Sequence, residues 1–263
     1  MKSHDFSIKI RKRCLELVYK SNSSHIGGAF SIADILSVLY CDILKLPPIV
    51  DFKERDMLFY SKGHACTALY SCIEAKKLLP PGLFLDTFGK DGSLFTTHAS
   101  NKIPFVEFSS GSLGHNLSVA AGVAYSFLKN NINRKVYVIL SDGELNEGSN
   151  WEALMFIAHH KLTNMTIIID YNKIQSFGFT NEVLNLEPLK SKFNTFGFCA
   201  SEIDGHDHSA ILDGINKKIT LPRVIVAHTI KGKGVSFMEN KLEWHYKTPT
   251  KDQYEMALME LDK

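Results

Sequence analysis

Val136-Tyr137-Val138-Ile139-Leu140-Ser141-Asp142-Gly143 is an apolar run that passes straight into an Asp-Gly turn, and Met165-Thr166-Ile167-Ile168-Ile169-Asp170-Tyr171-Asn172 repeats the form with an Asn at its end. Unbroken apolar runs of this length suit strands covered on both faces, hence a parallel sheet. If the two are parallel neighbours, Asp142 and Asn172 emerge at the same carboxyl edge, where open α/β sheets bind ligands. One carboxylate, one side-chain amide oxygen and a nearby backbone carbonyl are too few oxygens to enclose a hard divalent cation. Mg2+ takes near-octahedral oxygen coordination and commonly completes it with phosphate and water, so the pattern suggests a cation that pins a diphosphate. Asp-Gly is also among the commonest turn dipeptides, so the pair gains its weight from its surroundings.

Those surroundings alternate short apolar runs with amphipathic stretches. Gly197 to Ser201 and Val224 to Ala227 are further strand candidates, interleaved with helices expected at Asn150 to His160 and Ser209 to Ile219. Upstream, helical periodicity covers Ile8 to Tyr19. Ser31 is the expected N-cap of a helix from Ile32 to Leu44, whose Ile35, Leu36, Leu39 and Ile43 make one stripe before Pro47-Pro48. Further helices are expected from about His64 to Lys77, from Leu117 to Leu128, and from about Lys251 onward. Pro80 to Ser110 looks irregular, and loops of that length are often functional. Without repeats, low-complexity tracts or linkers, residues 1–263 are expected to form a single α/β domain, with a mostly parallel central sheet and helices on both faces.

The 263 residues are 44% hydrophobic and 22% charged, with a formal net charge of +2, enough apolar material for one sizeable core. The basic residues form no long run, so neither nucleic acid nor a membrane surface is expected as a partner. Cys14, Cys41, Cys66, Cys72 and Cys199 are odd in number and lack C-x-x-C spacing, which argues against a disulfide framework and a zinc knuckle. The N-terminus has no signal-peptide core and no stretch reaches membrane-spanning length, so a cytoplasmic location is expected.

Several Gly- and His-bearing turns accompany the first motif, in order along the chain: Ser24-His25-Ile26-Gly27-Gly28, Ser61-Lys62-Gly63-His64-Ala65, Ser110-Gly111-Ser112-Leu113-Gly114, Ser141-Asp142-Gly143-Glu144-Leu145-Asn146-Glu147-Gly148, Asp170-Tyr171-Asn172-Lys173-Ile174 and Trp244-His245. With them the chain, from roughly residue 5 onward, resembles the N-terminal, diphosphate-binding half of a transketolase. The resemblance implies thiamine diphosphate and Mg2+, or another divalent cation such as Ca2+ or Mn2+. It assigns the cation to the Asp142 and Asn172 side chains and the Ile174 carbonyl. Gly143 would let the backbone approach the diphosphate, a role that suits a residue without Cβ. His64 and His245 would lie near the diphosphate or the reacting end of the cofactor, and Gly111, Ser112 and Leu113 against its aminopyrimidine. His25 and His98 would face the sugar. A ketose that is cleaved must lose a hydroxyl proton and the acceptor aldehyde must gain one, and imidazole serves both steps near neutral pH.

Other positions are less committed. His4, His159, His160 and His208 carry no motif, and His206 lies in Asp204-Gly205-His206-Asp207, a family-like turn without an assigned role. The chain departs from the family at Ser24, Ile26, His115, Asn116 and Ser141, none of them an implied metal ligand. Glu147 and Glu152 read locally as a solvated helix start, whereas the resemblance implies a buried acidic network at a subunit interface, chiefly through Glu147. Lys231-Gly232-Lys233-Gly234 resembles the loop before the catalytic histidine, although a lone Gly-Lys turn is more often a mobile surface loop. It is no Walker-type nucleotide site.

Thiamine diphosphate needs an activating carboxylate, which in the family belongs to a following pyrimidine-binding domain. The chain is therefore expected to be the small subunit of a split transketolase, inactive alone and completed by a C-terminal subunit in an α2β2 assembly. The expected reaction moves a two-carbon ketol unit from a ketose, sugar or sugar phosphate, to an aldose by way of thiamine diphosphate. Rivals are a subunit of another thiamine enzyme, such as a deoxyxylulose-phosphate synthase-like or decarboxylase subunit, and a non-catalytic interaction subunit. A dehydrogenase would require a G-x-G-x-x-G turn after an early strand, which is missing.

Overall fold

The computed structural model describes residues 2–263. Its frame is a five-stranded, all-parallel sheet of β1 (Met57–Tyr60), β2 (Val136–Ser141), β3 (Met165–Tyr171), β6 (Cys199–Asp204) and β7 (Arg223–His228), in the spatial order β1-β2-β3-β7-β6. A small antiparallel ribbon, β4 (Ile174–Gln175) with β5 (Gly178–Phe179), follows β3. In register, Ser141 lies beside Asp170, and Tyr171 beside His228. The turns after β1, β2, β3 and β7 therefore open at one edge.

The apolar runs face two cores, because successive strand residues point to opposite sides. Tyr137, Ile139, Ile168 and Ile225 enter one core; Val138, Leu140, Ile167, Ile169 and Val226 enter the other. The first is covered by helices Ser3–Ser21, Ile26–Ser31, Ala33–Val38, Cys66–Ala75, His208–Asn216 and Lys251–Leu261, the second by Asn116–Lys129, Gly148–His159 and Leu189–Thr195. This is the parallel sheet with helices on both faces that the sequence implied.

Three details differ from expectation. Strand β1 was not anticipated, since four residues between helical segments are too few for a period to register. The strand expected from Gly197 begins at Cys199, because Gly197 is at φ 95 and Phe198 closes back onto Phe193. Ser31 is no N-cap. It is the last residue of a separate short helix, Ile26–Ser31, the next helix starts at Ala33, and the Ser31 hydroxyl donates instead to Asp170 Oδ2 at 2.6 Å. The segment from Pro80 to Ser110 is largely irregular but contains a short helix, Leu83–Thr87, and is anchored by Phe84 and Phe95, which pack on Tyr70 at ring separations of 4.9 and 6.2 Å.

Beneath the carboxyl edge, the Lys62 ammonium pairs with Asp170 and also donates to the Gly28 carbonyl at 2.9 Å, with Lys62 1% and Asp170 0% exposed. Thr229 donates to the other Asp170 oxygen. Burial alone would raise the Asp170 carboxyl, but Lys62, Ser31 and Thr229 hold it below the ordinary range. Removing one partner of such a pair strands the other charge in the interior. Asp170→Ala is expected to lower unfolding free energy by about 3–5 kcal/mol, read as a lower midpoint in urea denaturation at neutral pH.

Candidate active site at the carboxyl edge of the sheet

The turns after β1, β2 and β3, together with the loop after β7, enclose a cleft of about 510 Å³ lined by Asp142, Gly143, Asn172, Ile174, Lys231, His64, His98 and His245 among others. Asp142 is 5% exposed, and its oxygens accept the backbone N–H groups of Gly143 at 2.7 Å and Lys173 at 2.6 Å. Asn172 Oδ1 accepts the Ile174 N–H at 3.1 Å, which turns the chain so that the Ile174 carbonyl faces the cleft. That carbonyl accepts from the Lys231 ammonium at 3.0 Å. Burial, and then the Asp170 charge, push the Asp142 carboxyl up to about 6. A buried carboxylate so short of positive charge is a fit place for a cation. Among the described residues no three His, Cys, Asp or Glu side chains are grouped to hold a metal, so a cation here would depend on the mixed oxygen set.

Gly143 and Gly111 are among the cleft positions where a side chain would collide. A Cβ on Gly143 would stand 2.9 Å from Gln175 Cβ, and one on Gly111, at φ +108, would press on the His98 ring at 3.1 Å. Ser112 and Gly111 are exposed at the cleft mouth and Leu113 is half-buried there.

The four singled-out histidines meet. The His25 ring centroid lies 5.4 Å from that of His64, 6.3 Å from His98 and 5.0 Å from His245, and His64 stacks on His245 at 5.7 Å. His25 occupies the left-handed region at φ 71, and its N–H donates to the His245 carbonyl at 3.1 Å. Such geometry is costly for a side-chain-bearing residue and clusters at functional sites. Its Nδ1 lies 2.9 Å from Ser24 Oγ, which leaves Nε2 for a ligand. Lys231 Nζ reaches His245 Nδ1 at 3.1 Å; an ammonium only donates, so Nδ1 accepts and the His245 proton sits on Nε2. Burial, followed by His98 and Lys231, lowers His25 to about 4, and burial with Lys231 lowers His245 to about 3. Burial and then Lys62 also hold His64 well below its ordinary value.

Two residues were missed. Lys231 is not part of a mobile surface loop: it is 2% exposed, with burial lowering its ammonium to about 8. Its signal was its place in the segment before His245, hidden by the commonness of Gly-Lys turns. Glu144, 0% exposed, accepts from the Ser61 hydroxyl and the Gly114 N–H, and burial raises it to about 7. Glu147, expected in a buried acidic network, is exposed in the single chain although it borders the cleft, and Glu152 is exposed as well. His115 is exposed, with Nδ1 at 3.1 Å from the Ser112 carbonyl.

Residues 4–259 match the family model described as transketolase, thiamine diphosphate binding domain. The chain is 40% identical over 262 residues to an apulose-4-phosphate transketolase subunit of Phocaeicola vulgatus, covering 97% of this chain and 92% of that protein. It is 37% identical over 259 residues to the 6-deoxy-6-sulfo-D-fructose transketolase subunit SqwG of a Clostridium species, covering 97% and 94%. Human transketolase is 30% identical over 263 residues, but the chain covers only 41% of it. The solved Campylobacter jejuni transketolase superposes with a TM-score of 0.93 at 29% identity, over 100% of this chain and 43% of that one.

Imidazoles held at about 4 and about 3 when folded, against about 6.5 when unfolded, bind fewer protons in the native state. The stability they contribute is complete above about pH 6.5 and is lost as pH falls toward 4. Histidine NMR titration should find His25 and His245 uncharged at pH 6, and the denaturation midpoint should fall between pH 6.5 and 4.

Proposed function

The chain belongs to the transketolase thiamine diphosphate-binding family and is the N-terminal subunit of a split transketolase, and we propose that its cleft holds thiamine diphosphate through a divalent cation on Asp142, Asn172 and the Ile174 carbonyl. The protein is a transferase that moves a two-carbon ketol unit from a ketose to an aldose together with a second subunit. One observation carries the cofactor placement: an underpaired buried carboxylate, an amide oxygen and a carbonyl converge at the sheet edge beside uncharged imidazoles. The donor set is all oxygen, as Mg2+ or Ca2+ requires, and leaves coordination for phosphate oxygens. Gly143, where a Cβ would collide with Gln175, lines the cleft beside this donor set, and Lys231 adds a positive charge.

When bound, thiamine diphosphate supplies the nucleophilic carbon that accepts the two-carbon unit. The chain supplies position and proton handling. His245 presents an Nε2–H donor toward a developing alkoxide, and His25 offers Nε2 to a substrate hydroxyl. His98 and His64 close the other sides of the sugar channel. Being uncharged near neutral pH, these rings hydrogen-bond the reacting hydroxyls, and a ring that takes a proton becomes an imidazolium until it gives that proton back.

Of the carboxylates lining the cleft, Asp142 is committed to the cation and Glu147 to the subunit interface in this reading, so we assign the activating carboxylate to the second polypeptide. Phe177, 83% exposed, and Val183, 37% exposed, both line the cleft and give it an apolar rim suited to the partner's pyrimidine-binding domain. The assembly is α2β2, with Glu147 covered at its interface. The substrates are sugars or sugar phosphates, as the relatives named for apulose-4-phosphate and 6-deoxy-6-sulfo-D-fructose suggest. Among the described residues no helix is long and apolar enough to cross a membrane. The five cysteines are free thiols, which supports placing the protein in the reducing cytoplasm.

With the second subunit, Mg2+ and thiamine diphosphate, ketol transfer is expected, and Asp142→Ala should lower cofactor affinity by about two orders of magnitude. Calorimetry and a coupled ketose-cleavage assay measure both quantities. Undiminished transfer by the variant would refute the ligand assignment.

A further inference from the structure

The Asp204-Gly205-His206-Asp207 turn lies at the end of β6, outside the cleft, and the function above leaves it without a task. Its first contact is with β7: the Gly205 N–H donates to the His228 carbonyl at 2.8 Å. A Cβ on Gly205 would stand 2.4 Å from Thr229 Cγ2 and 3.0 Å from that carbonyl, so the turn is pressed against the exit of β7. From there the His206 ring spans two groups. Nδ1 lies 2.7 Å from Asp34 Oδ2, and Nε2 lies 2.8 Å from the backbone nitrogen of Ile230.

The backbone N–H can only donate, so Nε2 accepts and the ring proton resides on Nδ1, donated to Asp34. Asp34 in turn is clamped by Arg11 through bonds of 3.1 and 2.6 Å, with His208 Nε2 at 3.1 Å. Burial alone would raise the Asp34 carboxyl, but His206, His208 and Arg11 hold it far below its ordinary range. Arg11 supplies the counter-charge that a buried carboxylate needs, and Asp34 on Nδ1 with the Ile230 N–H on Nε2 fix the His206 tautomer from both sides.

Ile230 precedes Lys231. The Lys231 carbonyl accepts from the Asn240 N–H at 2.9 Å, and the next residue, Gly232, donates to the Gly27 carbonyl at 2.9 Å. These bonds fix the backbone on the C-terminal side of Lys231, and the bond to His206 fixes it on the other. Between them the buried side chain carries its ammonium to the Ile174 carbonyl and His245 Nδ1 at 3.0 and 3.1 Å. We propose that His206, oriented by Asp34 and Arg11, is a positioning residue that sets the Lys231 ammonium in the cleft through the Ile230 amide. The inference rests on the functional reading only for the ligand that Lys231 meets, a diphosphate. His208 makes the contrast: it bonds the same carboxylate and Ser3 Oγ at 3.0 Å, with no bond to the lysine loop.

Three measurements on the full chain test this, the binding arm in complex with its second subunit. In the unmodified protein the 15N spectrum of His206 should show an unprotonated Nε2 and a protonated Nδ1; the reverse tautomer overturns the proposal. His206→Ala should speed hydrogen exchange at the Ile230 amide and weaken binding of Mg2+ with thiamine diphosphate about tenfold, the scale of one lost buried hydrogen bond. His206→Gln, whose amide both accepts and donates, should recover part of the loss, and His208→Ala should stay within about twofold of the unmodified affinity. Equal weakening by His206→Ala and His208→Ala would mean a merely structural cluster and overturns the proposal, as does an unchanged Ile230 exchange rate. If the unmodified complex does not bind thiamine diphosphate, the functional reading fails, while the tautomer and the Ile230 exchange rate still decide whether His206 holds the loop.

Discussion

The buried pair of Lys62 and Asp170 is the constraint on which the carboxyl edge depends. Its two charges draw the turn after β1 and the end of β3 together, and the Gly28 carbonyl, Ser31 and Thr229 complete their hydrogen bonds. A charge pair in so dry a place gains little net stability over apolar packing. What it does is tie these segments together: separating them would strand a charge or a donor in the interior. His64 stands on the turn after β1, and His25 just precedes the Ile26–Ser31 helix that the pair holds through Gly28 and Ser31.

The electrostatics above that pair are set first by burial and then by charges that include it. Burial and then Asp170 raise Asp142, and burial together with Lys62 and Lys231 keeps protons off His64 and His245. The edge thus sorts its groups into a carboxylate that favours a cation and imidazoles that remain neutral. That division suits chemistry in which a diphosphate is anchored at one end and protons are exchanged at the other.

Much of this was legible in the sequence because it rests on local rules. Strands β2, β3 and β7 declare themselves by length and β-branching, and the turns after them by Asp-Gly and by Asn172. The meeting of His25, His64, His98 and His245 was inferred from family likeness rather than from any period. What escaped was set by tertiary contact. Strand β1 is too short to show a pattern, Ser31 was claimed by Asp170 rather than by a helix end, and Lys231 is buried by elements on both sides of its loop. Glu144 was not singled out, because nothing in Glu-Leu-Asn-Glu says which carboxylate turns inward within the chain; its partners Ser61 and Gly114 lie far away in sequence.

The left-handed backbone at His25 is tied to the carbonyl of His245, and nearby Thr248 donates to the Ser23 carbonyl across 225 positions of sequence. Lys12 and Asp262 meet across 250. Contacts so distant along the chain repay their loop-closure entropy only late in folding. During synthesis the amino-terminal helices and the central strands can collapse as they emerge, but the cleft cannot close until the segment carrying His245 and Thr248 has left the ribosome. A nascent chain therefore holds its histidine turns open for most of its time on the ribosome, and any chaperone that attends it has that unfinished edge to cover.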